Sequence, residues 1–402
     1  MTPIIRAATE SDLSAIARIG AQSFPGVNAK TREKQIRESS QIGVEDILVA
    51  EESGRLLGSA TVIPMEMWWA GNRWPTGGLA SVAVAPEARR QGVATRLCGA
   101  AVDRLRERDV PLCLLYPFET EFYTALGWSL VGLRREVTLR PSALPTGERG
   151  EVVWLDPRQD ANALMRCHGE WLEQRGVGLV RHPAIWSRIF DQPWQWFGIR
   201  DGDRLDGYVA MYDDRDPVTI CHTLRVGEII ALSSKSQRAL TAFLHDQQAQ
   251  VDWVELSLPA ETPVEAMVSS PRTPGQTDLG CGNFLCSQIC TGAMVRVLDW
   301  NRLMADMASI GTWLRGSLEI GLRRGPHWRL NMDGRWIEVD QGDADNTLTA
   351  DEATLTKILW GVLSLSDAVA WGLADLRGKA DLRALGALLA QPPLFIPRWD
   401  NF

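Results

Sequence analysis

The segment from Val82 to Thr95 has residue types and a spacing that suit the binding of a pyrophosphate. It joins an apolar strand to the start of a helix, whose first amides have no partner within the helix. Gly92 permits a close backbone approach, and Arg89 and Arg90 add positive charge. An ordinary strand-to-helix connection is the alternative interpretation. The predicted cofactor-binding residues of this segment are Val82, Ala83, Val84, Arg89, Arg90, Gln91, Gly92, Val93, Ala94 and Thr95.

The cysteines and histidines form no pattern that is typical of a metal site. Cys281, Cys286 and Cys290 are the closest set among seven cysteines, and no histidine lies near them to complete a four-ligand zinc site. The five histidines are isolated along the chain. We therefore expect no metal.

The elements around the motif predict alternating strands and helices. Leu57 to Trp68 and Leu79 to Ala85 are rich in strand-forming residues, and apolar residues after the motif recur at helical spacing. A strand at Pro111 to Tyr116 leads to a short helix over Glu119 to Leu126. Gly127 stands where a left-handed residue would end that helix.

An internal repeat indicates a second domain of the same kind. The sequence from Arg55 to Gly58 recurs in similar form from Arg204 to Gly207, and both copies lie in predicted hairpin strands. Downstream, the second copy lacks an equivalent of Pro86 to Gly92. It is thus predicted to keep the strand, helix and strand but to lose the binding loop, with chance similarity as the alternative.

A third unit is predicted to begin near Ile289. Met294 to Leu298 reads as a strand and Trp300 to Leu314 as a helix. An Asp333-Gly334 turn between two apolar stretches predicts a hairpin, and an amphipathic helix follows from Leu355.

Composition excludes two classes of function. The chain has 402 residues, 45% of them hydrophobic, and no apolar run approaches the roughly 20 residues that a membrane-spanning helix needs. With no recognisable secretory signal, we expect a cytoplasmic protein without a membrane span. The formal net charge of −8 argues against nucleic-acid binding and favours a small cationic substrate.

The motif resembles the GNAT superfamily, whose R/Q-x-x-G-x-G/A loop binds the pyrophosphate of CoA and stands here as Arg89 to Ala94. The string V-A-V-A-P-x-x-R-R-x-G and the segment Tyr123 to Trp128 are similar to the Eis (enhanced intracellular survival) acetyltransferases. The chain length and the terminal phenylalanine also match that family, so the resemblance extends over the whole chain.

The resemblance implies an α+β or α/β fold with tandem GNAT-like domains and a third, sterol-carrier-like α/β domain. The predicted domains are residues 1–145, which bind acetyl-CoA, residues 146–285, which form a degenerate copy, and residues 286–402, which carry a catalytic C-terminal tail. The resemblance also implies a homohexamer.

Catalytic roles follow from the same resemblance. Tyr123 is predicted to be the general acid that protonates the thiolate leaving acetyl-CoA, with an aromatic core residue as the alternative. The terminal carboxylate of Phe402 is predicted to be the general base, with a frayed tail as the alternative and Glu66 as the substitute base.

Further contacts are predicted around these groups. Phe118 and Glu119 occupy positions that touch the cofactor in the family. Family members carry smaller residues at the position of Phe118, which puts the detail of that contact in question. Phe24 and Trp68 are candidates to line the amine pocket, and packing in the core explains them equally well.

The predicted function is acetyl transfer from acetyl-CoA to an amine by direct attack, and the resemblance implies aminoglycosides as the substrate class. Acetylation of protein lysines is a close alternative. A non-catalytic protein that binds acetyl-CoA or a lipid is the alternative from another class.

Overall fold

The computed structural model describes residues 3–147, 150–215, 221–270, 272–273, 285–307, 312, 314–340 and 344–400. Apart from those gaps, the chain divides into two compact units. The first unit comprises residues 1–131 and 293–390, and the second comprises residues 132–292 and 391–401. None of the described helices has the length and apolar character needed to cross a membrane.

The N-terminal part of the first unit alternates strands with helices. Its strands are β1 (Ile4–Ala7), β2 (Ile47–Glu52), β3 (Arg55–Trp69), β4 (Asn72–Val84), β5 (Leu112–Leu115) and β6 (Ser129–Leu130). Its helices are α1 (Leu13–Ser23), α2 (Ala29–Arg37), α3 (Val93–Glu107) and α4 (Thr120–Ala125). Asn28 begins α2, because its side-chain oxygen accepts hydrogen bonds from the amides of Lys30 and Thr31.

The second unit contains the middle of the chain. Its strands are β7 (Leu133–Leu139), β8 (Val152–Leu155), β9 (Val177–Val180), β10 (Gln195–Asp201), β11 (Arg204–Arg215), β12 (His222–Ala231), β13 (Trp253–Pro259) and β14 (Gln288–Thr291). Its helices are α5 (Ala161–Arg175), α6 (Pro183–Phe190), α7 (Ser234–His245) and α8 (Val264–Met267).

The chain then returns to the first unit. The strands of this part are β15 (Met294–Val297), β16 (Arg315–Leu322), β17 (His327–Asp333), β18 (Ile337–Asp340), β19 (Asn346–Ala350) and β20 (Ala374–Arg377). The helices are α9 (Trp300–Asp306), α10 (Glu352–Leu359), α11 (Leu365–Ala370) and α12 (Leu382–Leu389).

The sheet of the N-terminal part follows the order β1-β2-β3-β4-β5-β15-β6. Neighbouring strands are antiparallel except for β4 and β5, which are parallel. Strand β15 was predicted to belong to a third unit, but its backbone pairs with both β5 and β6. Helices α1 and α3 bury their apolar residues against this sheet, chiefly Leu13, Ile16, Ile19, Leu97, Ala101 and Leu105.

Residues 315–377 form a separate five-stranded sheet in the order β18-β17-β16-β19-β20. The predicted hairpin is confirmed, since β17 and β18 are antiparallel and Gly334 has the positive φ of +89° that their turn requires. The helix predicted from Trp300 to Leu314 ends at Asp306, and residues 308–311 and 313 lie outside the described part.

The sheet of the second unit follows the order β14-β7-β13-β12-β11-β10-β8. As the repeat predicted, β11, β12, α7 and β13 match β3, β4, α3 and β5 in order, and β12 and β13 are again parallel. Residues 85–92 connect β4 to α3, whereas Leu232 and Ser233 alone connect β12 to α7. The second copy therefore lacks the long loop.

The compact units divide the chain at places other than the predicted domain boundaries after residues 145 and 285. Strand β7 was included in the first predicted domain, but it pairs with β13 of the second unit. The segment 391–400 was included in the third predicted domain, but Leu394 pairs with Gly132 in the second unit.

A buried charge network holds the last described residues in the second unit. The guanidinium of Arg181 donates two hydrogen bonds to Glu228, at 2.6 and 3.0 Å, and one to Asp400 at 2.7 Å. The hydroxyl of Tyr208 donates to the same Glu228 carboxylate at 2.5 Å. Burial raises the pKa of Asp400 because desolvation disfavours its charged form, and the charge of Glu228 adds to the shift while Arg181 opposes it.

We expect Arg181→Met to lower the free energy of unfolding by about 3–5 kcal/mol, because two buried carboxylates lose their cation. Arg398→Gln is the matched control, since Arg398 pairs with Glu136 at 2.8 Å but is 53% exposed, and its loss should cost less than about 1 kcal/mol. Urea unfolding followed by tryptophan fluorescence measures both changes. Equal midpoints for the two variants would contradict the anchoring role of Arg181.

Candidate functional site

Strands β4 and β5 diverge in the middle of the first sheet. Their recorded pairs run from Thr76–Leu112 to Gly78–Leu114, yet β4 continues to Val84. On its other side β4 stays paired with β3 as far as Val84. The edge of β4 that faces β5 therefore presents backbone groups to an extended ligand around the predicted residues Val82, Ala83 and Val84. The carbonyl of Val84 also accepts a hydrogen bond from the hydroxyl of Ser23 at 3.3 Å.

A β-bulge marks the point of divergence. Ser81 has a φ of +53°, and the register between β3 and β4 shifts between Ser59 and Thr61. Such a conformation is strained for a residue other than glycine, and strained backbone is concentrated at functional sites. The hydroxyl of Ser81 accepts a hydrogen bond from the guanidinium of Arg32 on α2.

The loop between β4 and α3 has the shape of an anion site. Arg90 and Gly92 both have a positive φ, +60° and +76°, and Gly92 begins α3 without any side-chain cap. The first amides of α3, at Val93, Ala94 and Thr95, are thus available to an anion at the helix N-terminus. Arg89, Arg90 and Gln91 are exposed beside them. These residues fit the pyrophosphate of acetyl-CoA.

Tyr123 lies buried on α4, 3% exposed, inside the same core as α3. The ring of Phe122 lies 5.0 Å from it and the ring of Phe118 5.6 Å from it, both edge-on. Burial raises the pKa of the Tyr123 phenol above its ordinary value, and the nearby thiol of Cys98 adds to the shift. The phenol is therefore a proton donor that stays protonated across the physiological range.

The pKa of Cys98 shows how this environment affects the ionisation of a thiol. Its side chain is buried on α3, and burial raises its pKa to about 12. The surroundings that Cys98 and Tyr123 share therefore disfavour a negatively charged side chain. A neutral thiol is the stable form here.

The structure places Phe118 and Glu119 at the start of α4. Phe118 is 72% exposed and lies against Phe122 and Tyr123, so its side chain is free to touch a ligand. Glu119 precedes the first residue of α4 and is exposed. Both predicted positions thus adjoin Tyr123, and their contact with the cofactor stays a prediction.

Phe24 is also close to this region, since it ends α1 and packs half-buried against the core that contains Tyr123.

Glu66 and Trp68 lie elsewhere on the sheet. Glu66 is exposed and lies opposite Pro75 of β4. Pro75 precedes Ser81 by six residues, so the two are roughly 20 Å apart along the extended strand. The guanidinium carbon of Arg73 lies over the ring of Trp68, 5.3 Å from the ring centroid. Phe402 lies outside the described residues, so its catalytic role stays a prediction.

The second unit has an equivalent divergence, but its own chain occupies it. The parallel pairs of β12 and β13 end at Val226–Leu256, and Gly227 forms a bulge opposite β11. The indole of Trp399 packs directly against Gly227, where no Cβ would fit. The ring of Trp194 contacts that indole edge-on, with 4.9 Å between the ring centroids. This unit therefore lacks both the loop and the free strand edge.

Arg32 and Ser81 are candidate site residues that no pattern in the sequence indicates. Ser81 lies within a predicted strand, and no residue pattern indicates that its backbone turns left-handed there. Arg32 belongs to a polar stretch without strong periodicity, so neither its helix nor its direction was evident from the sequence.

Two parts of the chain match families that share the description acetyltransferase (GNAT) domain, residues 4–131 and residues 177–297. Proteins named N-acetyltransferase Eis, from Mycobacterium tuberculosis and Mycobacterium bovis, are 26% identical to this chain over 181 residues. That alignment covers 41% of this chain and 44% of each relative, so less than half of the relatives' length is matched.

Solved structures resemble the whole chain. A GCN5-related N-acetyltransferase from Anabaena variabilis superposes with a TM-score of 0.78 at 18% identity, and Eis1 from Mycobacterium abscessus with 0.75 at 18%. A GCN5-related N-acetyltransferase from Kribbella flavida gives 0.74 at 23% identity. Each comparison covers 100% of both chains, and at these identities it establishes the fold.

We expect Gly92→Ala to weaken the binding of acetyl-CoA about tenfold, because an L-residue in the left-handed region costs roughly 1–2 kcal/mol. Gly202→Ala is the control, since Gly202 has a φ of +59° and equally open surroundings in the β10–β11 turn of the second unit. Isothermal titration with acetyl-CoA measures both. Wild-type affinity in both variants would contradict phosphate binding at this loop.

Proposed function

Since the chain belongs to the GNAT acetyltransferases, with one GNAT domain at residues 4–131 and a second at 177–297, we propose that its first domain transfers the acetyl group of acetyl-CoA to an amine. The observation that carries this proposal is the combination of three features in one domain. They are the free edge of β4, the uncapped start of α3 after Gly92, and the buried phenol of Tyr123.

In this proposal the two ends of acetyl-CoA take different places along β4. The exposed arginines Arg89 and Arg90 and the first amides of α3 hold the phosphates. The extended pantetheine arm lies in the gap between β4 and β5, and the thioester reaches the bulge at Ser81. In this proposal the second domain binds no cofactor, because it lacks the loop and the indole of Trp399 packs against Gly227 where its strands separate.

Direct attack by the amine is the simplest reaction for this arrangement. The amine nitrogen bonds to the acetyl carbonyl carbon, and the bond from that carbon to sulfur breaks. Backbone amides of β4 stabilise the negative charge on the carbonyl oxygen. Tyr123 donates its proton to the departing sulfur, whose thiolate would be as strongly disfavoured in these surroundings as that of Cys98.

The group that accepts the proton of the attacking ammonium is proposed from the family resemblance. The carboxylate of Phe402 is the first candidate and Glu66 the second. The exposed position of Glu66 opposite Pro75 makes it the weaker of the two.

The class of amine that the protein acetylates can be identified by comparing the rates with different acceptors. The resemblance implies aminoglycosides, the net charge of −8 favours cationic acceptors in general, and protein lysines are the alternative. A cytoplasmic location, a homohexamer and a sterol-carrier-like role for the sheet of residues 315–377 also stay proposals. Lipid that copurifies with the protein, in the absence of acetyl transfer, would favour the non-catalytic alternative.

We expect Tyr123→Phe to lower kcat for CoA release by about 10²- to 10⁴-fold while acetyl-CoA still binds, because the ring remains and only the acid is lost. Tyr212→Phe is the control, since Tyr212 lies 40% exposed in the second unit. A thiol-release assay with an aminoglycoside, a polyamine and a lysine peptide measures the rates. No release of CoA by wild type with any amine would contradict the proposed function.

The pH profile of wild type checks the same assignment. Since burial raises the pKa of Tyr123 above the ordinary phenol value near 10, the acid stays protonated as the pH rises. We expect kcat to rise with pH as the amine loses its proton, with no decline below about pH 10. A decline in kcat near pH 8 would exclude Tyr123 as the acid.

A further inference from the structure

A positively charged side chain faces the proposed acetyl site from α2. Arg32 lies half-buried, and its guanidinium donates to the hydroxyl of Ser81 at the bulge of β4. A guanidinium has five N–H donors, and this hydrogen bond uses one nitrogen. The remaining donors are available to a ligand beside the thioester position.

Among the described residues, Arg32 has no carboxylate partner. The acids of its own helix are engaged elsewhere, since Glu33 pairs with Arg37 at 2.9 Å and Glu38 with Lys34 at 3.8 Å. Burial lowers the pKa of Arg32, and no neighbouring acid is recorded that raises it again. A partly desolvated cation without a counter-ion attracts an anion strongly.

The phosphates of acetyl-CoA are badly placed to be that anion. Ser81 and Val84 are three residues apart on an extended strand, or about 10 Å, and the arginines of the loop lie further along the chain. The pantetheine arm and the acetyl group that lie along this stretch carry no charge. Of the two substrates, only the acceptor can therefore bring an anion to Arg32.

We propose that Arg32 binds a carboxylate of the acceptor, so that the amine acetylated by this protein belongs to an amino acid or a similar amine with a carboxylate. This inference rests on the proposed function of acetyl transfer. The guanidinium would hold the carboxylate through paired hydrogen bonds while the amino nitrogen attacks the thioester. The products are an N-acetylated amino acid and CoA, with one proton released from the ammonium.

The position of α2 explains how such an acceptor is selected. Asn28 fixes the first turn of α2, and Ile36 anchors its other end in the core, so Arg32 is held on a short, defined helix. A carboxylate bound there replaces the missing counter-ion. An acceptor that has no carboxylate leaves the guanidinium of Arg32 without this ion pair.

Matched pairs of acceptors test this inference. Thiol release is measured with phenylalanine against phenethylamine, ornithine against putrescine and tryptophan against tryptamine, each pair differing by one carboxylate. We expect wild type to have at least a tenfold higher kcat/KM for each amino acid. An aminoglycoside is included as the polycationic competitor.

Variants of α2 identify the residue responsible. We expect Arg32→Gln to reduce the preference for the carboxylate by about 10- to 100-fold, with acetyl-CoA affinity unchanged. Arg32→Lys should restore part of the preference. Arg37→Gln is the control, because Arg37 lies on the same helix but pairs with Glu33 and Glu10 at the surface.

A binding measurement separates failure of this inference from failure of the proposed function. Titration of the CoA complex with N-acetylphenylalanine and with its amide tests recognition of the carboxylate without turnover. Preference for the acid in wild type and its loss in Arg32→Gln would support the inference even if no amine is acetylated. Active wild type that ignores the carboxylate, or a uniform loss of rate on all amines in Arg32→Gln, would overturn the inference and leave acetyl transfer intact.

Discussion

The parallel pairing of β4 with β5, and its end after Gly78, is the constraint on which the rest of the site depends. A continuous sheet would satisfy its backbone groups internally and leave none for a ligand. Because β4 stays paired to β3 while it separates from β5, its open edge is still held in the sheet. The bulge at Ser81, the loop before α3 and the helix α4 that carries Tyr123 are all positioned around this opening.

Charge and burial divide the opening into two chemically different ends. Exposed arginines and helix amides lie at the loop, where solvated phosphates can bind without a large desolvation penalty. Around Tyr123 the aromatic rings and the buried thiol of Cys98 form an apolar environment that disfavours ionised groups. Arg32, which donates a hydrogen bond to Ser81 at the bulge, is a half-buried cation, and this charge is what points to the acceptor.

The second unit has a similar separation of two parallel strands, but the surroundings of that separation differ. Its strands β12 and β13 diverge as β4 and β5 do, but the indole of Trp399 lies against Gly227 in the gap. The network of Arg181, Glu228 and Asp400 fixes the segment that carries this tryptophan. A side chain of the protein thus packs where the strands of the second unit separate.

Local patterns by themselves determined much of this protein. The loop from Arg89 to Gly92, the helix that follows, the hairpin at Asp333-Gly334 and the repeat without its loop were all evident from residue types and spacing, because turns, caps and periodicity are local properties. Tertiary structure alone decided the placement of β15 in the first sheet and the bulge at Ser81, since strand partners distant in sequence leave no local signal. It also decided that Arg32 faces Ser81 and has no acid beside it among the residues that the structure describes, because a helix must be packed before the direction of its side chains is defined.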